Sequence, residues 1–235
     1  MIRPALWSAG LVLLALSCNE KEERSADPAE QSGEQENQPA LEPELAYARI
    51  EKTLERMREV YGIDPKTSCQ VLAPMKRGPF GTDALNVLLR EKLNPAAAEG
   101  MGFRVGDKVM QLKNDYDREV FNGDLGFVSR ITAGRVFVDF EGREVQYAPE
   151  HLDALTLAYA STVHKVQGSE FEAVITVLHA SHYVLLDRAM IYTALTRARR
   201  LAVIVGDPRA VEMAVKNVRK NVANSRLTER LLGEL

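Results

Sequence analysis

The chain is poor in cysteine, in long apolar sequence and in net positive charge. Each shortage closes off a simple reading. Only Cys18 and Cys69 occur among 235 residues. One follows an apolar leader and the other opens an apolar block, so they build neither a disulfide framework nor a metal-ligand spacing. No metal site is expected, and Cys69 suits a small buried hydrophobe. The longest apolar run, Ala5 to Leu16, is too short for a transmembrane helix, which needs about 20 residues. Net charge is −3, so the composition as a whole does not announce a nucleic-acid binder. That figure conceals an asymmetry. Residues 19–44 hold nine acidic and two basic residues, a net of −7, and residues 1–18 carry only Arg3. The body from 45 to 235 is therefore at +3, a balance compatible with nucleic acid without demonstrating it. There is no internal repeat.

The first 18 residues have the layout of a secretory signal peptide: Arg3, the apolar run, then small Ser17 before Cys18. Ala15-Leu16-Ser17-Cys18 resembles a bacterial lipoprotein cleavage box and makes Cys18 a candidate lipidation site, although Ala15 stands where that box usually has leucine. The alternative is an apolar segment left by start-site choice or gene fusion. Residues 19–44 have almost nothing apolar to bury and are expected to be a disordered acidic linker.

Behind this linker the pattern is α/β. Leu45, Ile50, Leu54, Met57 and Tyr61 fall near helical spacing, with Gly62 as terminator. Cys69 to Ala73 reads as a buried strand, Asp83 to Leu93 as a helix ended by Asn94-Pro95. Residues 103–148 alternate apolar and polar side chains, with turn signals at Gly106-Asp107, Asn122-Gly123-Asp124, Ala133-Gly134 and Glu141-Gly142. Five short strands so spaced predict a small antiparallel barrel. From Leu155 the α/β pattern resumes: a strand to Tyr159, buried strands at Ala173–Leu178 and Leu201–Val205, a helix from Asp187 to Thr196, and a helical tail from Arg209. The predicted fold is a parallel-sheet α/β domain, 45–102 and 149–235, interrupted by a barrel at 103–148.

Three segments carry potential chemistry. Met75 to Thr82 is a glycine-punctuated loop holding Lys76 and Arg77, a pairing of amides and cations that suits phosphate or, equally, a solvated basic turn. Ala158 to Phe171 is dense in short polar side chains just after a strand, where parallel sheets bind ligands, but a polar loop with a capping glycine looks the same. Arg197, Arg199 and Arg200 follow a predicted helix. They suit either cations at a helix C-terminus or an arginine that stabilises a transferring phosphoryl group.

Order and spacing add to this. Thr162-Val163-His164-Lys165-Val166-Gln167-Gly168-Ser169-Glu170-Phe171 and Tyr192-Thr193-Ala194-Leu195-Thr196-Arg197-Ala198-Arg199 resemble motifs V and VI of superfamily 1 helicases in their RecD-like form. Val71 to Asn86 resembles the motif IV region. Phe103 to Ile131 resembles the SH3-like 2B domain inserted in motor domain 2A, which is RecA-like. The resemblance implies an ATP- and Mg²⁺-dependent enzyme moving 5′-to-3′ on single-stranded DNA in the cytoplasm. It implies Arg197 as the arginine reaching the γ-phosphate and Arg77 as a second phosphate contact. Gly168, Ser169 and Glu170 would border the nucleotide, and Thr162, His164 and Lys165 would face the DNA strand. Tyr192 and Thr193 would support the motif VI helix.

The other half of such a motor is not written here. The sequence has no G-x-x-x-x-G-K-[ST] loop and no apolar strand ending in Asp-Glu. Gly78-Pro79-Phe80-Gly81-Thr82 lacks both the spacing and the lysine. The expectation is the truncated or fused C-terminal portion of a motor, inactive by itself; a P-loop domain donated by a separate chain is a further possibility for which nothing in the sequence speaks. The competing expectation is a lipid-anchored nucleic-acid-binding protein that reuses a helicase domain.

Overall fold

The computed structural model describes residues 41–95 and 99–218 and the backbone of 11–16. Cys18, most of the acidic linker and the tail beyond 218 lie outside the described residues.

Helix α1 (Pro43–Tyr61) buries the stripe Ala46, Ile50, Leu54 and Met57, and Gly62 ends it with a left-handed φ of 63°. Strand β2 (Cys69–Ala73) is buried along its whole length and leads through the Pro74–Gly81 loop into α2 (Thr82–Leu93). After the short pair β3 (Glu99–Gly100) and β4 (Phe103–Arg104) comes a β-domain: β5 (Lys108–Gln111), β6 (Leu125–Thr132), β7 (Arg135–Phe140), β8 (Arg143–Tyr147) and β9 (Leu155–Leu157). The chain returns through β10 (Ala160–Thr162), β11 (Phe171–Leu178), α3 (Arg188–Leu195), β12 (Ala198–Gly206) and α4 (Pro208–Lys216). No helix among the described residues is long and apolar enough to cross a membrane.

The larger sheet has the order β1-β12-β11-β2-β10 and is wholly parallel. Its first strand, β1, is the stretch Leu11–Leu16 of the apolar leader, in register with Leu201–Gly206. Alternation along the strands feeds two cores. Val71, Ala73, Ile175 and Val203 face α1 and α2, while Leu72, Val174 and Ile204 face α3 and α4. A parallel sheet covered on both faces is what its near-continuous apolar strands require.

The β-domain has the order β8-β7-β6-β5-β9, antiparallel throughout, around Val109, Val128, Val136, Val138, Phe140 and Tyr147. Two tight turns hold it in register. At Ala133-Gly134 and again at Glu141-Gly142 both central residues have positive φ, the geometry whose twist suits a two-residue hairpin. The sequence placed residues 155–159 as one strand of the α/β domain. The structure divides them: Leu155–Leu157 pairs antiparallel with β5, and the parallel sheet resumes only at Ala160. Both segments are short and no turn residue separates them, so it is the partner strand that assigns each to its sheet.

Candidate functional site

The parallel sheet has two ends, and the candidate residues divide between them. At the carboxyl ends lie the Pro74–Gly81 loop after β2 and the turn after β10, neighbours because Thr162 pairs with Ala73. At the amino ends lie Glu170, just before β11, and Arg197, just before β12. They are neighbours because Phe171 N donates to Arg197 O at 2.8 Å.

The segment Val163–Glu170 runs from one end to the other along the α3/α4 face. Lys165 N donates to Thr162 O, Gln167 N to His164 O and Ser169 N to Val166 O, so it is a chain of tight turns. Val163 and Val166 are buried in the core, His164 and Lys165 are exposed, and Thr162 is half-buried. Gly168 has φ 98°, a value side-chain-bearing residues resist. Apolar residues three apart thus anchor the crossover and turn its polar residues outward.

The β10 strand is held by polar side chains that sequence reasoning missed. Asn86 on α2 donates to Ala160 O at 2.9 Å and accepts from Ala160 N at 2.8 Å. Gln70 donates to Ala158 O and Tyr159 O. Beside them Asp107 is wholly buried and pairs with Arg90 at 2.9 Å, while Tyr159 Oη and Asn94 Nδ2 each donate to it at 2.9 Å. Burial, then the Asp107 charge, pushes the Tyr159 hydroxyl far above the usual phenol range. Lys108 is buried too, donating to Cys69 O, and burial pulls its pKa down to about 8. The same burial pushes the Cys69 thiol up to about 12. These groups bolt the β-domain to the parallel sheet.

At the amino edge the three arginines differ. Helix α3 ends at Leu195, so Arg199 and Arg200 stand on β12, not at a helix C-terminus. They pair with Glu170 at 2.9 Å and Glu172 at 3.0 Å. Arg197 is half-buried and donates only to neutral oxygens: Thr193 O, Ser169 O and Thr196 Oγ1. Among the described residues no carboxylate pairs with it. Gly168, Ser169, Glu170 and Arg197 are therefore brought together, with Arg197 fixed in place and its charge uncompensated.

Arg77 is not brought to them. Phe80, three residues on, stacks on His179 at 4.1 Å, beyond the carboxyl end of β11. Arg77 and Lys76 are exposed on that same edge. The amides that close the loop into α2 are not free for phosphate either. Gly81 N donates to Gly78 O, Thr82 N to Met75 O and Asp83 N to Lys76 O. A Cβ on Gly81 would lie 2.4 Å from the carbonyl oxygens of both Lys76 and Arg77, so glycine is there for close packing of the loop on itself. The described residues hold no cluster of His, Cys, Asp or Glu able to take a metal ion.

Comparison with known proteins agrees with this architecture. A model of the ATP-dependent RecD-like DNA helicase SH3 domain matches residues 85–140. A model of the UvrD-like helicase C-terminal domain matches residues 157–205. The chain is 44% identical over 167 residues to the ATP-dependent RecD2 DNA helicase of Deinococcus radiodurans, covering 69% of this chain and 23% of that protein. It is 29% identical over 233 residues to the RecBCD enzyme subunit RecD of Mycolicibacterium smegmatis, covering 98% of this chain and 40% of that one. The chain thus spans less than half the length of these relatives. Among solved structures it is similar to the Pif1 helicase from Bacteroides in complex with ADP-AlF3 and ssDNA, at 16% identity and a TM-score of 0.48, over 79% of this chain and 51% of that one. By its SH3 and C-terminal helicase regions, the chain belongs to the RecD-like helicases.

Proposed function

We propose that the chain supplies the second motor half of an ATP-driven, 5′-to-3′ DNA helicase and is inactive without a P-loop domain. The observation that carries this is Arg197, a cation fixed between Ser169 O and Thr193 O with no carboxylate of its own, while Arg199 and Arg200 beside it are both neutralised. A positioned, unpaired guanidinium at a domain edge suits the γ-phosphate of an ATP held by another domain. Bound there, ATP with Mg²⁺ supplies the phosphoryl group whose hydrolysis drives movement. The residues present fit only the γ-phosphate side, so phosphate cradle and metal ligands come from the P-loop domain. In this reading Ser169 and Glu170 orient Arg197, the one through its carbonyl and the other by occupying Arg199.

Thr162, His164 and Lys165 occupy the opposite edge, where a half-buried hydroxyl and two exposed polar side chains suit the sugar-phosphate backbone of single-stranded DNA. Arg77 and Lys76 share that edge, so this reading counts them with the DNA contacts and leaves them out of the nucleotide site. The working compartment is the cytoplasm, where ATP is supplied.

The test pairs the purified chain with the separately expressed P-loop half of a RecD-like helicase. The chain alone should show no ATPase activity. The mixture should show DNA-stimulated hydrolysis that Arg197→Ala lowers by a factor of about 10³ or more. ATPase activity of the chain alone that Arg197→Ala abolishes would contradict the need for a second domain. Restored activity indifferent to Arg197→Ala would contradict the arginine's role. A lipid-anchored DNA-binding module is the competing reading, and it requires labelled palmitate to appear on Cys18.

A further inference from the structure

The β-domain carries a feature that neither edge uses. Between β5 and β6 the chain makes a small hairpin in which Asp115 and Val120 exchange backbone hydrogen bonds, Asp115 N to Val120 O at 2.7 Å and the reverse at 3.0 Å. Two aromatic side chains project from it. Tyr116 is 75% exposed and Phe121 is 45% exposed, with ring centroids 5.9 Å apart, edge to face. Exposing both rings forgoes apolar burial, and little else on the β-domain's surface is like them.

The hairpin is rigid. Asp115 accepts from Arg118 N and pairs with the Arg118 guanidinium. Asp124 accepts from Phe121 N at 2.8 Å, and Asn114 from Asn122 N at 2.9 Å. It is also placed: a Cβ on Gly123 would lie 3.6 Å from Lys165 O, so the hairpin rests on the turn that carries the DNA-facing residues. Its charges are largely taken up, Arg118 by Asp115 within it, and Lys113 and Glu119 by Asp153 and Arg143 outside it, leaving Asp117 and the two rings outward. Such a surface repays contact with a flat apolar face and offers no phosphate site.

We propose that Tyr116 and Phe121 form a stacking platform for an unpaired base of the single strand whose backbone is held by Thr162, His164 and Lys165. The proposal rests on the DNA-edge reading above. It adds a division of labour: cations on the crossover hold phosphate, and the aromatic pair on the β-domain holds a base. Stacking of this kind tolerates any base, because every base offers a π-face.

The test is equilibrium binding of the full chain to a fluorescein-labelled thymidine oligonucleotide of about 12 nucleotides, and to an abasic strand of the same length, across a salt series. Tyr116→Ala and Phe121→Ala should each weaken thymidine binding roughly tenfold, leave abasic binding unchanged and leave the salt slope unchanged. Tyr116→Phe, which keeps the ring, should retain wild-type affinity. Lys165→Ala should instead reduce the salt slope by about one and weaken both ligands alike. Thymidine binding that responds to Lys165→Ala but not to either ring variant overturns the platform and leaves the DNA edge standing. Equal losses on thymidine and abasic strands also overturn it. Absence of any binding by the wild-type chain overturns both.

Discussion

Single residues with paired polar groups set the sharpest expectations. Asp107 is buried among Arg90, Asn94 and Tyr159, so Asp107→Ala would leave the mostly buried Arg90 cation only a longer pair, 3.6 Å, with the exposed Glu99. A loss of about 3–5 kcal/mol in urea unfolding is expected, against about 1 kcal/mol for Tyr159→Phe, which removes one donor. His182 gives a pH dependence. It is buried with its ring edge-on to Phe80, and burial, with His179 beside it, lowers its pKa from 6.5 to about 4. The folded chain thus keeps the ring neutral where the unfolded chain protonates it. As pH falls from 6.5 towards 4, the unfolded state takes up a proton that the folded state refuses, and stability drops through that window. The drop attributable to His182 is at most about 3 kcal/mol and levels off below pH 4. His182→Leu should flatten that part of the profile. Parallel profiles for the two proteins would mean the ring is not held neutral.

At the scale of elements, what was legible depended on whether the deciding partner was near in sequence. The strands Phe171–Leu178 and Ala198–Gly206 and the β-domain hairpins could be read because apolar blocks, alternation and Gly-containing turns are local signals. The division of residues 155–162 between two sheets could not, because each segment's sheet is set by a partner strand distant in sequence, β5 for Leu155–Leu157 and β2 for Ala160–Thr162. Among candidate site residues, Ser169 and Glu170 come beside the distant Arg197 only through the parallel pairing of β11 with β12, and Arg77 lies at the sheet's other end, a fact only the strand direction supplies. Asn86, Gln70 and Asp107 look like surface residues in the sequence. Their partners, for Asn86 and Gln70 some 74 to 89 positions away, are what bury them. Two substitutions probe these elements. Asn86→Ala removes both hydrogen bonds to Ala160 and should cost about 2–3 kcal/mol; on the proposed DNA edge it should also weaken DNA binding, because β10 positions Thr162. Gly81→Ala drives a methyl group against two backbone carbonyls that have no room to withdraw. Chemical denaturation should find it among the most damaging changes in the β2–α2 loop, costing more than about 2 kcal/mol. Wild-type stability in that variant would mean the loop is looser than its hydrogen bonds indicate.

For the molecule as a whole, the β-domain is inserted in the parallel-sheet domain and fastened to it by buried groups: Asp107 with Arg90 and Tyr159, and Lys108 on Cys69 O. Neither part can open without uncovering charge on the other. The two should therefore unfold together, and circular dichroism and tyrosine fluorescence should trace one coincident transition in urea. Two separated transitions would show that the insertion is merely tethered. The crossover Val163–Glu170 bears on work rather than stability. It spans roughly 20 Å from the end of β10 to the start of β11, judged from strand rise. A machine part that joins two moving surfaces loses stroke to any slack along its length. Here Val163 and Val166 are seated in the core and three successive turns are closed by backbone hydrogen bonds. If the chain works as the motor half proposed above, the link would act as a connecting rod with little backlash, and a displacement at Ser169 would arrive at Thr162 instead of being absorbed on the way.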